Sequence, residues 1–333
     1  MNKEYYNFIK IVSEANLEDA FKDEVLGFEK ESLRVENSYI SKTSHPNSLG
    51  SSLCNSYITT DFSEAQLELI TPPQKSFDSL STLDDIHHFV THKIDEEILW
   101  PFSIPPNTSS DEDISIAKFG ESYEGQFKHI YRAGLANRYG KRMQTISGFH
   151  FNYSLPEEIW NYSTYKNISD LKNLRSEVYL NILRNIYKMN WLIIYLFGSS
   201  PVINNNLIAG NKDPFESLDS ASSFLKYATS LRMSEYGYSN ASRNSIFISI
   251  NYLDEYISDL RSSTSKIERR YKKYSLEENG QLNSNILQIE AEYYASARAK
   301  SKLSDSIRQT NNLEKGGVDF IEIRSLDLNP YCS

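Results

Sequence analysis

Four segments of the chain are predicted to be β-strands in which polar side chains recur at every second position. They begin at Gly27, Thr59, Gln144 and Asp319. Because the side chains of a strand alternate between its two faces, each segment gathers its polar residues on one face. These residues are Glu29 and Glu31, then Glu64, Gln66 and Glu68, then His150 and Asn152, and last Glu322 and Arg324.

Such strands can form a sheet with one face packed on a core, while the other face collects negative charge. Clustered carboxylates repel one another, and burying them is costly unless cations compensate the charge. Mg²⁺ and Mn²⁺ are hard cations that prefer oxygen ligands, so they are the natural compensation. The pattern therefore predicts a metal site on the polar face.

A solvated outer face is the alternative interpretation of each strand taken alone. Two features favour a site. Acidic side chains are poor β-formers, so two or three on one strand suggest a purpose. The same faces also carry His150, Asn152 and Arg324, which suit a mixed polar site better than a solubility surface.

The rest of the chain shows both helical and strand patterns. Apolar residues at helical spacing predict helices at 4–22, 78–99, within 115–143 and at 170–197. Two further strands are predicted at 245–252 and 283–294, and the second would place Gln288, Glu290 and Glu292 on one face. Helices and strands do not alternate regularly, which indicates an α+β protein with a largely antiparallel sheet. We see no internal repeat and no linker that divides the chain.

Length and charge narrow the classes of function. A chain of 333 residues can form one large domain or two ordinary ones. Its net charge of −9 argues against nucleic-acid binding. The two cysteines imply neither a disulfide framework nor a metal site. There is no signal-peptide pattern, and the longest apolar run, Trp191 to Phe197, is far shorter than the ~20 residues of a membrane span. We expect a cytoplasmic protein with neither nucleic-acid nor membrane partners.

Common nucleotide and zinc motifs are missing. The stretch from Gly134 to Gly140 resembles a phosphate-binding loop, but no Ser or Thr follows Lys141. His88 and His92 have the spacing of a zinc-protease helix, but Phe89 stands where the catalytic glutamate belongs. A surface pair of histidines is the better interpretation. Any nucleotide would therefore have to be held through metals and cations on the sheet.

Six motifs follow one another along the chain: GFEKESLRV, SHPNSLGSSLCNSYITTDFSEAQLELITPP, NRYGKRMQTISGFHFNYSLP, YATSLRMSEYGYSN, NSNILQIEAEYYASAR and GGVDFIEIRSLDLNP. Together they resemble glutamate–cysteine ligases of the proteobacterial type, which catalyse the first step of glutathione synthesis. The resemblance runs from Gly27 to Pro330, nearly the whole chain. It implies a fold like that of glutamine synthetase, in which a curved, largely antiparallel β-sheet funnel with surrounding helices holds ATP and metals at its acidic inner face.

The resemblance also implies a reaction. ATP, as co-substrate, phosphorylates the γ-carboxylate of glutamate, and the amine of cysteine then displaces phosphate to give γ-glutamylcysteine. Mg²⁺ or Mn²⁺ would bridge the phosphates and the carboxylates. The implied metal ligands are Glu29, Glu31, Asp61, Glu68, His150 and Glu322. Replacing Glu29 or Glu322 by Gln is expected to abolish activity and to leave the fold intact or slightly more stable, since the cluster loses one repelling charge.

Further residues receive roles from the same resemblance. Arg324 would neutralise the transferred phosphoryl group, and Asn152 with Arg324 would contact the nucleotide. Arg132 would grip a substrate carboxylate and act with Arg324 in catalysis. The implied residues for binding glutamate and cysteine are Tyr131, Arg132, Arg232, Tyr238, Tyr294 and Arg298.

Two departures from the family pattern leave alternatives open. Family members usually continue past the RSLDLNP strand into a long helical region, so we expect residues 1–333 to be a single catalytic domain without it, and a monomer. The segment after Tyr294 reads ASARAKSK, which departs from the usual pattern around Arg298. The alternatives are a related ligase with another amine acceptor, because a small pocket discriminates weakly, and an inactive fragment that retains ligand binding.

Overall fold

The computed structural model describes residues 3–14, 17–106, 110–161, 171–208, 214–237, 246–277 and 279–330. The helices are α1 (Lys3–Glu14), α2 (Ser76–Thr91), α3 (Tyr123–Tyr139), α4 (Lys141–Gln144), α5 (Glu157–Asn161), α6 (Leu171–Phe197), α7 (Leu253–Ser265) and α8 (Gln309–Gly316). Short 3₁₀-helices lie at Leu17–Asp23, Asn47–Leu49, Arg269–Lys273 and Glu290–Glu292. Within these ranges no helix is long and apolar enough to cross a membrane.

The strands form one large and one small sheet. They are β1 (Val25–Glu36), β2 (Tyr39–Ile40), β3 (Ile58–Thr60), β4 (Gln66–Ile70), β5 (Gln74–Lys75), β6 (Ile98–Leu99), β7 (Phe149–Ser154), β8 (Val202–Asn204), β9 (Glu216–Ser217), β10 (Ser222–Phe224), β11 (Ala297–Lys300) and β12 (Phe320–Leu326). The nine-stranded sheet runs β11-β12-β7-β1-β4-β3, and β2, β5 and β6 also pair with β1. The small sheet has the order β8-β10-β9.

The long strand β1 organises the large sheet. Its central residues pair antiparallel with β4 on one side and with β7 on the other, and its two ends pair with the short strands. All named strand pairs of the described chain are antiparallel. The predicted α+β class with a largely antiparallel sheet is confirmed.

Two helices cover the apolar face of this sheet. Leu67 and Leu69 of β4 pack with Ile86 and Val90 of α2. At the other end, α6 packs on β11 and β12, where Ile321 joins the core that α6 contributes to. These contacts remove one face of the sheet from solvent and leave the polar face to the other side.

Helix α3 lies toward the polar side of the sheet. Its Leu135 packs with Leu33, which follows Glu31 by two residues and so shares its face, and with Phe62. The loop from residue 281 to residue 296 bonds to α3 and α4, since Gln288 Nε2 donates to the carbonyl of Tyr131 and the hydroxyl of Tyr294 donates to Gln144. Helix α3, α4 and this loop are therefore neighbours.

The helix predicted at 170–197 is confirmed as α6, but its two halves have different surroundings. The first half is buried, with Val178 and Leu183 in the core. The last seven residues, 191–197, are all apolar or aromatic, yet Trp191 is 65% exposed and Tyr195 is 67% exposed. Other described residues therefore bury the first half of this helix and leave several side chains near its end exposed to solvent.

Both additional strands predicted from the sequence are wrong within the described residues. Residues 283–294 form a loop ending in a 3₁₀-turn, because their side chains bond to nearby backbone or to other loops instead of alternating. Glu292 accepts the amide of Gln288, for example. Residues 246–252 are irregular because Ser249 uses its amide and hydroxyl to bond the acidic residues Asp259 and Glu255 of α7. Ser245 lies outside the described residues.

Three predicted helices differ in their bounds. Residues 4–22 split into α1 and the 3₁₀-turn at Leu17–Asp23. The helix expected at 78–99 ends at Thr91, since Asp95 adopts a φ of 50° and Ile98–Leu99 pairs with β1. Within 115–143, α3 ends at Gly140, whose φ of 84° stops the helix before α4 begins.

Candidate active site

Strand register brings the first four acidic and imidazole groups together. Glu29 lies directly opposite His150 across the β1–β7 pair. On the other side of β1, Glu31 lies opposite Glu68 of β4. Residues that are directly opposite in an antiparallel pair point to the same face. One face of three adjacent strands therefore carries three carboxylates and one imidazole.

Strand β12 adds Glu322 and Arg324 to this polar face. Glu322 lies opposite Asn152 of β7, and Arg298 of β11 lies opposite Glu322. The register shifts between Ile323 and Leu326, and Arg324 lies in this irregularity. The Arg324 Nη1 group donates to Glu322 Oε1 at 2.8 Å.

His150 sits at the centre of the acidic group. Its Nδ1 is 3.1 Å from Glu29 Oε2 and 3.9 Å from Glu322 Oε1, and its Nε2 is 3.4 Å from Glu31 Oε1. One donor atom from each of Glu29, His150 and Glu322 lies within 4.8 Å of the others, the size of a metal-binding site. Both His150 and Glu322 are buried.

The donors fit a divalent cation. His150 Nε2, Glu322 Oε2 and Asn152 Oδ1 are buried and have no hydrogen-bond partner among the described residues. Buried acceptors without partners are costly, and a cation would satisfy them. The set is rich in carboxylate oxygen with one imidazole, which suits Mg²⁺ or Mn²⁺.

Burial and mutual repulsion separate the pKa values of the carboxylates. Burial, followed by repulsion from Glu29, Asp61 and Glu31, raises the pKa of Glu68 well above its ordinary value of 4.5. The pKa of Glu31 is also raised, chiefly by burial, although His150 opposes the shift. These two groups resist ionisation when no cation is bound.

The pKa values of Glu29 and Glu322 move the other way. Burial alone would raise the pKa of Glu322, but Lys300, Arg324 and neighbouring cations outweigh it and lower the pKa well below 4.5. Burial also opposes ionisation of Glu29, and the hydrogen bond with His150 helps to lower its pKa on balance. That the fold stays intact or becomes slightly more stable when Glu29 or Glu322 loses its charge stays a prediction. The pKa directions favour such a stability gain at Glu68 and Glu31 instead, whose anions are not compensated.

Asp61 and Arg132 form the border of the acidic group toward α3. The Asp61 amide donates to the carbonyl of Gln66, which holds the turn between β3 and β4. Arg132 Nε donates to the Asp61 carbonyl, and its Nη2 is 3.9 Å from the Asp61 carboxylate. The guanidinium also stacks 4.5 Å from the ring centre of Phe119. Arg132 is thus held against the site and does not lie on a solvated helix face.

Two predicted substrate residues come from the loop before β11 and from β11 itself. The Tyr294 hydroxyl donates to Gln144 Oε1 at 2.7 Å. Arg298 Nη2 donates to the carbonyls of Ala291 and Tyr293, so this part of its guanidinium holds the loop. Burial raises the pKa of the Tyr294 hydroxyl, with Asp61 as the next cause. Tyr294 therefore lies within electrostatic range of the acidic group.

Tyr131 and Arg232 also border the polar face. Burial, then Glu292 and Tyr294, raise the pKa of the Tyr131 hydroxyl well above its usual value. The Arg232 guanidinium approaches Gly148 so closely that a Cβ at position 148 would lie 1.9 Å from its Nη2. The charge of Arg232 opposes the rise in the pKa of Glu31 that burial causes. Tyr238 lies outside the described residues.

One sequence expectation about the face is wrong: Glu64 is expected beside Glu68 on the polar face, but its carboxylate accepts the backbone amides of His45 and Lys118. The nucleotide contact of Asn152 stays a prediction, and its Nδ2 donates to Glu29 Oε1 at 2.9 Å, within the acidic group. Lys300 was missed: its Nζ is 3.8 Å from Glu322 Oε2. The spacing of two from Arg298 on one strand could have revealed it.

Glu68 gives a testable pH effect. Because its pKa is raised by folding, its contribution to the stability of the metal-free protein is complete below 4.5 and is lost as the pH rises through the raised value. We expect Glu68→Gln to raise the Tm of EDTA-treated protein at pH 8 and to give no gain at pH 4.5. Thermal melts at both pH values measure this effect.

The control for this experiment is Glu64→Gln, which weakens two hydrogen bonds from backbone amides and should lower the Tm at pH 8. Mg²⁺ should raise the Tm of the unmodified chain at pH 8 more than that of Glu68→Gln. If the Tm of Glu68→Gln at pH 8 is equal to or lower than that of the unmodified chain, the proposed repulsion between Glu68 and its neighbouring carboxylates is contradicted.

Comparisons with known proteins agree with this geometry. Residues 9–333 match the glutamate–cysteine ligase family. The glutamate–cysteine ligase of Proteus mirabilis is 41% identical over 315 residues, which cover 92% of this chain and 60% of the relative. That of Vibrio vulnificus is 41% identical over 339 residues, covering 98% of this chain and 64% of the relative. The chain spans about 60% of the length of the first of these relatives.

Solved structures show the same relationship. The crystal structure of glutamate–cysteine ligase from Francisella tularensis in complex with AMP matches with a TM-score of 0.85 and 36% identity, over 93% of this chain and 62% of that chain. A bifunctional glutathione synthetase from Pasteurella multocida matches with a TM-score of 0.71 and 27% identity, over 97% of this chain and 37% of that chain. By its motifs, its sheet and the acidic group on that sheet, the chain belongs to the glutamate–cysteine ligase family.

Proposed function

We propose that the chain ligates L-glutamate, through γ-glutamyl phosphate, to the amine of L-cysteine with ATP as co-substrate. The observation that carries this proposal is the acidic group around His150, bordered by Arg324 and Lys300, in a member of this family. A structural relative bound to AMP supports the use of an adenine nucleotide.

The chemistry needs an activated carboxylate. A carboxylate is inert to an amine at neutral pH, and transfer of the γ-phosphoryl group of ATP supplies a leaving group. The amine lone pair then attacks the acyl carbon, the C–O bond to phosphate breaks, and the amine loses a proton. The protein contributes positioning and charge neutralisation, as is usual in phosphoryl transfer.

The polar face supplies both contributions. Glu29, Glu31, Glu68, His150 and Glu322, together with Asp61, would hold the divalent cations. When bound, Mg²⁺ or Mn²⁺ neutralises phosphate charge and orients the phosphates. Arg324, whose side chain is 20% exposed beside buried Glu322, would neutralise the transferred phosphoryl group. Asn152 would orient Glu29 and border the nucleotide.

The amino acids would bind next to α3 and to the loop before β11. Arg132 and Arg232 are proposed to hold α-carboxylates, since a guanidinium pairs with a carboxylate through two hydrogen bonds. The tyrosines would form the small pocket for the side chain of cysteine. The remaining proposed contacts are Tyr131, Tyr238, Tyr294 and Arg298.

We further propose that residues 1–333 act as a single catalytic domain, as a monomer and in the cytoplasm. Two alternatives remain as outcomes of the assay below. A related ligase would use another amine with greater turnover than cysteine. An inactive fragment would bind ligands without turning them over.

The direct test measures ADP release with glutamate, cysteine, ATP and Mg²⁺. We expect turnover that stops when either amino acid is omitted and when EDTA is added. Equal turnover with EDTA contradicts the metal-dependent ligase. Greater turnover with 2-aminobutyrate than with cysteine favours another amine acceptor. Absence of turnover, together with a Tm that ATP and Mg²⁺ raise, favours the inactive fragment.

The metal ligands give a prediction about activity. Glu29→Gln and Glu322→Gln should each lower kcat/KM at least tenfold, the equivalent of about 1.4 kcal/mol of transition-state stabilisation. Each should also weaken the Mg²⁺-dependent rise in Tm, which needs no turnover. Initial rates and melts over a Mg²⁺ titration measure both effects.

The matched control is Glu97→Gln, which alters a buried ion pair with Arg34 outside the proposed site. It should change the Tm but not the Mg²⁺ dependence. Rates within about threefold of the unmodified chain for both Glu29→Gln and Glu322→Gln, less than the ~1.4 kcal/mol of a tenfold loss, would remove these residues from the site.

Arg132 gives a prediction about substrate binding. Arg132→Lys keeps the charge but cannot reproduce a paired hydrogen bond to a carboxylate or the contact with the Asp61 carbonyl. The KM for glutamate or for cysteine should rise while the KM for ATP stays nearly unchanged. Arg261→Lys, at an exposed ion pair with Glu314, is the control and should change none of the three. Three unchanged KM values for Arg132→Lys would remove Arg132 from the pocket.

A further inference from the structure

The proposed amino-acid pocket is built from two separate parts of the chain. Tyr131 and Arg132 belong to α3, whereas Tyr294 and Arg298 belong to the loop before β11 and to β11 itself. No regular secondary structure joins α3 to residues 281–289 of this loop within the described ranges, so side chains must set the distance between the two parts.

Arg138, on α3 and fully buried, reaches from the helix into this loop. Its Nη1 donates to Glu292 Oε1 at 2.8 Å, and its Nη2 donates to Gln281 Oε1 at 2.8 Å and to the carbonyl of Asn283 at 2.6 Å. Its Nε also donates to Gln281 Oε1, at 3.1 Å. The face of its guanidinium lies 4.1 Å from the centre of the Tyr271 ring. Arg138 Nη1 also donates to the carbonyl of Ile286 at 3.5 Å, so one side chain of α3 bonds four residues of the loop.

Glu292, whose side chain is also fully buried, holds the loop to α3 from the loop side. Its Oε1 accepts from Arg138 and, at 2.8 Å, from the hydroxyl of Tyr139. Its Oε2 accepts the backbone amide of Gln288 at 2.6 Å. Both carboxylate oxygens are thus used, one toward α3 and one within the loop.

The contacts continue to the substrate residues on either side. Gln288 Nε2 donates to the carbonyl of Tyr131 at 3.2 Å. A Cβ on Gly134 would lie 2.1 Å from Gln288 Oε1, so the absence of a side chain at 134 allows this approach. On either side of Glu292, the carbonyls of Ala291 and Tyr293 accept from Arg298.

We propose that the Arg138–Glu292 pair positions the amino-acid pocket by fixing α3 against the loop that carries Tyr294. Neither residue touches substrate in this arrangement, and both act through their neighbours. The inference deepens the proposed ligase function and rests on it for its kinetic consequence.

A role in stability alone is the competing interpretation. A buried ion pair gains little net stability over apolar side chains of similar volume, because desolvating two charges offsets their attraction. Fixing one arrangement among several is the better-attested use of such pairs. The bonds of Arg138 go to four residues of the loop, and those of Glu292 go to α3 and to Gln288. The pair therefore connects α3 with the loop that carries Tyr294, which fits a positioning role.

The first experiment is hydrogen exchange of the whole chain, which requires no activity. Glu292→Gln should accelerate exchange in residues 281–294, including the Gln288 amide, and leave the β1 and β7 amides protected. Tyr139→Phe removes one donor to Glu292 without exposing a charge and should give a smaller change in the same residues. This variant serves as the test if Glu292→Gln does not fold.

The control is again Glu97→Gln, which alters a buried Arg–Glu pair at 2.6 Å that touches no proposed substrate residue. Its exchange should change near Ser41 and Thr43, whose side chains bond Glu97. Exchange in 281–294 that is unchanged in Tyr139→Phe and in folded Glu292→Gln overturns the proposal. Acceleration spread evenly over the sheet also overturns it.

The second experiment separates KM from kcat. Glu292→Gln should raise the KM of glutamate or cysteine about tenfold, equivalent to ~1.4 kcal/mol, with the KM of ATP changed less than twofold. Glu97→Gln at equal Tm loss should change neither. The positioning proposal is overturned if the KM values for both amino acids are unchanged in Glu292→Gln and its kcat falls only in proportion to the folded fraction. If the unmodified chain shows no turnover, the proposed function fails, and hydrogen exchange alone decides the positioning proposal.

Discussion

Mutual repulsion of carboxylates on one face of the large sheet is the constraint on which the rest of the structure depends. Glu31 and Glu68 face each other across β1 and β4, and their pKa values are raised by burial and by their neighbours. At the other end of the face, Glu322 is surrounded by cationic side chains, and its pKa is lowered. The polar face is therefore divided into Glu322, whose carboxylate the protein's own cations compensate, and the pair Glu31 and Glu68, whose pKa values stay raised by burial and repulsion.

The surrounding elements serve this divided face. Helices α2 and α6 cover the apolar side of the sheet, which leaves the carboxylate side facing α3 and the loop before β11. Arginines from separate elements then approach from the border: Arg132 from α3, Arg298 from β11, and Arg232 past the bare backbone of Gly148. The proposed reaction passes through a glutamyl phosphate, which carries several negative charges together with its acceptor, and this arrangement would bring positive groups to the edge of the acidic face.

Positioning in this protein relies on buried polar contacts more than on regular secondary structure. The loop at 281–296 has one short 3₁₀-turn, yet it is held by Arg138, Gln288 and Arg298 through backbone carbonyls and amides. Buried backbone groups of a loop cost free energy when they lack hydrogen-bond partners. The hydrogen bonds of this loop therefore favour one conformation strongly. These local hydrogen bonds also explain why the alternation in its sequence does not form the predicted strand. Its polar side chains bond to nearby backbone groups, and the segment does not pair with a sheet.

The sequence by itself determined the properties that depend on neighbours along the chain. The period of two placed Glu29 with Glu31 and His150 with Asn152, and helical spacing located α6, because both periodicities are local. The tertiary structure alone decided the register that sets Glu29 opposite His150, since strand pairing joins residues about 120 positions apart. It also decided that Glu64 turns to backbone amides, that Lys300 reaches Glu322, and which carboxylates gain or lose protons easily. Those outcomes depend on distances and burial between distant segments. Only the position of Lys300 on the same strand face as Arg298 has a signal in the spacing of nearby residues.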